Sequence, residues 1–258
     1  MGHAFPSIPR GPRADKPRDR QLTMMVDFGL PLGATEDLLQ LTASAIDMAK
    51  VAVGTSALYE EELLARKLRM YKDHDVEPFP GGQFMEYAIW LDRIDEYLND
   101  AKRVGYGAVE VSDNLLELSQ VRKREIIAHA AGEHGLKVLG EVGSKDESTS
   151  SSELIDDALG CLDAGSWKVL VEAAEFFGDG RFDEALASDL LANVPADKMM
   201  FELPGTWIPG IAASDIHMMQ VWLLERVGPD ANVANVAPGD TLSFEALRRN
   251  LGVKMYFE

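Results

Sequence analysis

A series of short apolar runs in this chain each carries an acid or a lysine near its end. MMVDFG holds Asp27, MAKVAVG holds Lys50, AVEVSD holds Glu110 and Asp113, and KVLGEVGSKD holds Glu141 and Lys145. KVLVEAAE and MMFELP add Glu172 and Glu202. A carboxylate inside a buried strand is costly unless a charge, a hydrogen-bond donor or a metal meets it. Oxygen donors of this kind suit a hard divalent ion, and Mg²⁺ takes one or two carboxylates with waters and substrate oxygens. A lysine among acids either stays charged and grips an anion or gives up its proton and acts as a base. The alternative is structural: buried acids paired with Lys50, Lys145 and backbone amides, serving the fold alone.

Some turns also have the make-up of anion sites. Gly54-Thr55-Ser56 follows the second run and Gly81-Gly82 the third, and backbone amides in such turns can point at phosphate oxygens. Asn232 and Asn235 flank the last apolar run, in the region where parallel barrels commonly bind phosphate. The plainer readings are ordinary turn glycines and a polar strand end. His129, His134 and His217 fall on expected helices and His74 ends one. None has ligand spacing with another, so all read as structural.

The elements that position these residues alternate. Strands are expected at 22–29, 48–54, 76–82, 107–113, around 137–142, at 167–175, 199–204 and 231–237, each followed by a helical pattern. Thr35 and Ser119 are candidate helix caps, and Gly135 a helix stop. Placing Glu141, Glu172 and Glu202 inward puts Val138, Gly140, Val142, Val169, Val171 and Phe201 outward, toward a helix layer. The expected fold class is α/β, a single (β/α)₈ TIM barrel over 22–258, with its site at the strand C-termini and a mobile N-terminal arm over 1–21.

Composition agrees with one such domain. The chain has 258 residues, and barrels of this type need about 250. The formal net charge of −18 argues against binding nucleic-acid backbone or anionic lipid. One cysteine, Cys161, permits neither an internal disulfide nor a cysteine metal site, and reads as helix filler. No apolar run is long enough to span a bilayer and no signal-peptide pattern opens the chain, so a cytoplasmic location is expected, with no membrane partner. The loop 204–214 is long and apolar, and its Trp207 and Ile208 suit a substrate cover, a core edge or an oligomer contact. Apolar positions Ile216, Met219, Val221 and Leu224 serve a homo-oligomer contact as readily as the barrel.

VDFGLP, KVAVGTS, PFPGGQFMEYA, AVEVSDN, VLGEVGSKD, MMFELP, NVANVA and LSFEALRRNL, taken in order, resemble the phosphosulfolactate synthase family. The resemblance runs from about residue 22 to the C-terminus. It implies a (β/α)₈ barrel and Mg²⁺-dependent addition of sulfite to phosphoenolpyruvate, giving (2R)-phospho-3-sulfolactate. It implies Lys145 as the acid that protonates C2, and Mg²⁺ held by some of Glu110, Glu141 and Glu172. It places Lys50, Glu141 and Asp27 in the catalytic set. Thr55, Ser56, Gly81, Gly82, Ser112, Glu202, Asn232 and Asn235 become the expected contacts to a small anionic substrate. The chain departs from the family pattern at Phe28, where a lysine is usual, at Val51, Ala52 and Val53, and at Ala174, where an arginine is usual. Those changes imply a smaller anionic load and a greasier pocket. They leave open a diverged lyase acting on a less charged enol or unsaturated acid with another nucleophile, and a non-catalytic, stress-linked barrel like the family's plant relatives.

Overall fold

The computed structural model of the protein describes residues 4–143, 150–178, 181–206 and 208–252. Lys145 and Trp207 lie outside the described residues.

Eight parallel strands form the barrel expected from the alternating pattern. β1 (Thr23–Asp27), β2 (Met48–Val51), β3 (Glu77–Pro80), β4 (Ala108–Val111), β5 (Lys137–Val142) and β6 (Lys168–Glu172) come first. A small antiparallel hairpin of β7 (Phe177–Gly178) and β8 (Arg181–Phe182) intervenes before β9 (Met199–Glu202) and β10 (Val233–Val236) complete the wall. Hydrogen bonding runs in the order β3-β2-β1-β10-β9-β6-β5-β4. β3 and β4 face each other across the closing seam without a ladder. The sequence of β3 explains the gap. Glu77 and Gly81 donate to β2, so the alternate positions face β4, and these are Pro78 and Pro80, which have no N–H to give.

The outer layer is α1 (Leu32–Thr42), α2 (Glu61–Lys72), α3 (Gly82–Trp90), α4 (Ile94–Val104), α5 (Gln120–Gly132), α6 (Ser151–Asp163), α7 (Glu184–Asn193), α8 (Ala213–Arg226) and α9 (Thr241–Arg248). The helical pattern expected after the third strand is two helices, α3 and α4, broken where Asp92 takes φ 57°. Ser119 caps α5 by accepting from the Arg122 amide, as expected. Thr35 does not cap α1: the helix opens one turn earlier and the hydroxyl bonds the Pro31 carbonyl at 3.1 Å.

Side chains of the wall separate into two apolar shells. Leu22, Met24, Met48, Phe79, Ala108, Leu139, Leu170, Met200 and Ala234 fill the barrel interior. Val109, Val138, Val142, Val169, Val171 and Phe201 face the helices. The outward phase deduced from the acids is therefore the observed one.

Residues 11–21 lie against the barrel's N-terminal end. Three buried or half-buried cations hold them. Arg13 and Arg18 pair with Asp47, and Lys16 donates to the carbonyls of Ala43, Ile46 and His74 at 2.6–3.1 Å. Among the described residues, no helix is long and apolar enough to cross a membrane.

Candidate active site

The charged layer sits one pleat above the apolar filling. Lys50, Glu110, Glu141, Glu172 and Glu202 each stand two residues after a member of that filling: Met48, Ala108, Leu139, Leu170 and Met200. Side chains two apart on a strand share a face, so the sequence directs all of these into the barrel toward its C-terminal mouth.

At the mouth, Lys50 Nζ is 2.9 Å from Glu110 Oε1 and 2.8 Å from Glu202 Oε1. One carboxylate oxygen from each of Glu110, Glu141 and Glu202 lies within 4.8 Å of the others, and all three residues are buried. Burial pushes the Lys50 ammonium down, but Glu110, Glu202 and Glu141 together outweigh it and hold the lysine well above its ordinary value. Lys50 is thus a fixed positive charge. Glu110 is driven well above the usual carboxylate range, first by burial and then by Glu202 and Glu141, against the pull of Lys50. Its Oε2 is buried with no hydrogen-bond partner among the described residues.

A second group of residues fixes the first. The Asn114 amide nitrogen donates to both oxygens of Glu141, at 2.8 and 2.9 Å. The loop carrying Asn114 is held by the buried Glu86, which accepts from the Ser112 hydroxyl and from the amides of Asn114, Leu115 and Leu116. Gly82 is required at the start of α3 because a Cβ there would collide with Ser112 and come within 3.0 Å of Glu110 Oε1. Gly81 is required as well, since its Cβ would stand 2.9 Å from the Val53 nitrogen.

Above the cluster is a cavity of about 270 Å³ whose lining includes Lys50, Glu110, Glu141, Gln83, Phe28 and Asn235. Val53, also on its wall, has φ 47°, a strained value for a β-branched residue. Asn235 has φ 58°, which asparagine tolerates, and its Oδ1 is buried without a partner among the described residues. A second cavity of about 370 Å³ adjoins it, sharing Val26, Phe28 and Asn235 and reaching Leu203, Ile216 and His217.

The structure thus brings together Lys50, Glu110, Glu141, Glu202, Gly81, Gly82, Ser112 and Asn235. Others it places elsewhere. Asp27 faces the helix layer, where Oδ2 is 2.5 Å from Lys67 Nζ and accepts from the Tyr71 hydroxyl at 2.7 Å. Its Oδ1 accepts from the amides of Gly29 and Leu30, so Asp27 ties the turn after β1 to α2. Ser56 bonds the Tyr106 hydroxyl at 2.8 Å, and Thr55 returns to the Ala52 carbonyl. Asn232 lies at the strand's N-terminal end, with Oδ1 accepting from Leu22 and Nδ2 donating to Met199 at 2.8 Å. Glu172 is buried on β6 in register with Glu202, but the three-carboxylate group is completed by Glu202 in its place. Asn114 and Gln83 were not among the expected site residues, because nothing marks a loop asparagine or a helix glutamine as inward-facing until the loop is anchored.

A family model for (2R)-phospho-3-sulfolactate synthase matches residues 11–253. The chain is 31% identical over 251 residues to a phosphosulfolactate synthase of Methanothermobacter thermautotrophicus, covering 93% of each chain. It is 33% identical over 243 residues to a phosphosulfolactate synthase of Methanocaldococcus jannaschii, covering 90% of this chain and 92% of that one. Among solved structures, a 3-hexulose-6-phosphate synthase from Salmonella typhimurium superposes with a TM-score of 0.53 at 14% identity, covering 88% of this chain and 98% of that one, a likeness of fold alone.

Proposed function

The chain belongs to the (2R)-phospho-3-sulfolactate synthase family, and from that premise we propose that it is an enzyme adding sulfite to phosphoenolpyruvate. The observation that carries the reading is the convergence of Glu110, Glu141, Glu202 and Lys50 at the C-terminal mouth of the barrel. In the reaction, the sulfur lone pair forms a bond to C3, the C2–C3 π bond breaks toward C2 and the carboxylate, and C2 takes a proton. Lys50, held charged by its two partners, offsets one of the three carboxylates beside which the anionic substrate would sit. It is a poor proton donor for the same reason, which leaves the protonation of C2 to Lys145, assigned on the family resemblance and outside the described residues.

Mg²⁺ fits the donor set. Three carboxylates and one ammonium leave the cluster with two net negative charges if all are ionised, a poor surface for an anionic substrate. The donors are hard oxygens, and Glu110 Oε2 is buried with no hydrogen-bond partner among the described residues. Glu110 and Glu141 would hold the ion while Lys50 neutralises Glu202. The chemistry Mg²⁺ supplies in such a place is stabilisation of negative charge on a substrate oxygen. Asn114 keeps Glu141 aimed, and the packed barrel below excludes water from that side.

One observation favours the second reading, a diverged lyase acting on a less charged enol or unsaturated acid. Among the described residues, Lys50 is the sole cationic side chain lining the cavity, and Phe28 occupies a stretch of the wall. Sulfite consumption in the presence of Mg²⁺ separates the readings. Consumption with phosphoenolpyruvate supports the first; no sulfite consumption but Mg²⁺-dependent turnover of a less charged enol or unsaturated acid with another nucleophile supports the second; no turnover of either kind supports a barrel without this catalysis. We also infer self-association through the exposed, stacked Tyr87 and Trp90 rings, checked by light scattering of the wild type and a Trp90→Glu variant.

A further inference from the structure

Two histidines that the sequence separates by an odd interval meet on the outside of the barrel. His129 lies in the last turn of α5, and His134 follows after the chain turns past Gly132. Their rings pack edge to face with centroids 4.9 Å apart. Both aim at one carboxylate oxygen. Asp95 Oδ1, in the first turn of α4, is 2.6 Å from His129 Nε2 and 3.7 Å from His134 Nε2. One donor atom from each of the three residues lies within 4.8 Å of the others.

From this arrangement we propose that Asp95, His129 and His134 form a binding site for a borderline divalent transition ion of the Zn²⁺ class, distinct from the barrel mouth. Donors around a tetrahedral ion with bonds of 2.0–2.1 Å stand about 3.3 Å apart, and the two Asp95 distances bracket that value. An ordinary Asp–His hydrogen bond accounts for His129 alone. It leaves unexplained why a second imidazole turns to the same oxygen. On the opposite side of the first ring, His129 Nδ1 is 3.2 Å from Glu133 Oε1, one helical turn on. A carboxylate on the far nitrogen is the arrangement that fixes the tautomer and orientation of a metal-bound histidine. The side chain of His134 is 11% exposed and that of His129 27%, whereas that of Asp95 is 66% exposed, so two ligands are held in place while solvent reaches the fourth position. Two imidazoles and one carboxylate select Zn²⁺, Co²⁺, Ni²⁺ or Cu²⁺ over Mg²⁺. The ion would clip the start of α4 to the end of α5.

The test uses the whole chain and Co²⁺ as a visible probe. Titration of the wild type is expected to give one equivalent of Co²⁺ with the absorption of an imidazole-ligated ion. His129→Ala and His134→Ala should each weaken it by at least about tenfold, and Glu110→Gln should leave it in place. Equal binding by the wild type and both histidine variants would overturn the proposal. Should a variant fail to fold, protection of His129 and His134 in the wild type from carbethoxylation by one equivalent of Zn²⁺ decides the matter. Unchanged modification of both also overturns it.

Discussion

The side-chain amide of Asn114 spans the carboxylate of Glu141, donating to both of its oxygens at 2.8 and 2.9 Å. A loop residue thereby fixes a strand residue at the centre of the mouth. The loop in turn hangs on Glu86, one buried carboxylate with four donors. The site acid is as well placed as that chain of bonds allows.

Asn114→Ala should therefore lower kcat by about 10–100-fold, the range for losing an outer partner of a site ligand, while the melting temperature stays near that of the wild type. Steady-state kinetics beside a thermal melt checks this. An unchanged kcat would mean that Glu141 needs no orienting partner.

Glu86→Gln acts one step further out. It exchanges an acceptor-only group for one whose NH₂ faces donors, leaving some of the loop amides unpaired. A stability loss of about 1–3 kcal/mol is expected, with kcat falling as Asn114 loosens. Denaturant unfolding and amide exchange across 112–116 read the two effects.

Asp27 and Glu110 separate by function. Asp27→Asn breaks a buried pair with Lys67, both side chains being fully buried, and should cost about 3–5 kcal/mol of stability. The protein that remains folded should turn over normally. Glu110→Gln should do the reverse: turnover lost, fold retained. Assays at a temperature where both variants are folded distinguish them.

Stability should rise between pH 8 and about 9.5. Burial pushes Lys16 and Lys168 down to about 8, against about 10.4 in an unfolded chain. Through that window the unfolded state binds more protons, so raising the pH favours the folded state. Below pH 8 both states are protonated and the burial cost is constant. Above pH 10 the buried Tyr71, Tyr97 and Tyr106 hydroxyls, all pushed up chiefly by burial, act in the opposite sense. Urea midpoints across pH 7.5–9.5 check the slope, which should flatten in a Lys16→Met, Lys168→Met double variant.

Much of the mouth was legible in the sequence because a strand's two-residue period is short and strict. Glu141 stands among Val138, Leu139 and Val142, and only one phase keeps the charge inside and the valines against helices. β1 carried no such signal. Its Met24, Met25 and Val26 are apolar on both faces, so Asp27 read like the other acids although it points the opposite way. Its true partners, Lys67 and Tyr71, share a face of α2 some forty residues on, a pairing that only the fold creates. Ser56 depends likewise on Tyr106, and Asn114 on a loop anchored from α3. His129 and His134 fail any helical ligand rule because the chain turns between them.

Phosphorus NMR of the purified chain with Mg²⁺, phosphoenolpyruvate and sulfite tests the central claim most directly, run with the wild type, with chelator and with Glu110→Gln. A new phosphate-ester resonance growing as phosphoenolpyruvate disappears, and lost both with chelator and in the variant, is the predicted result. No product from folded wild type, or undiminished product from Glu110→Gln, would contradict the account.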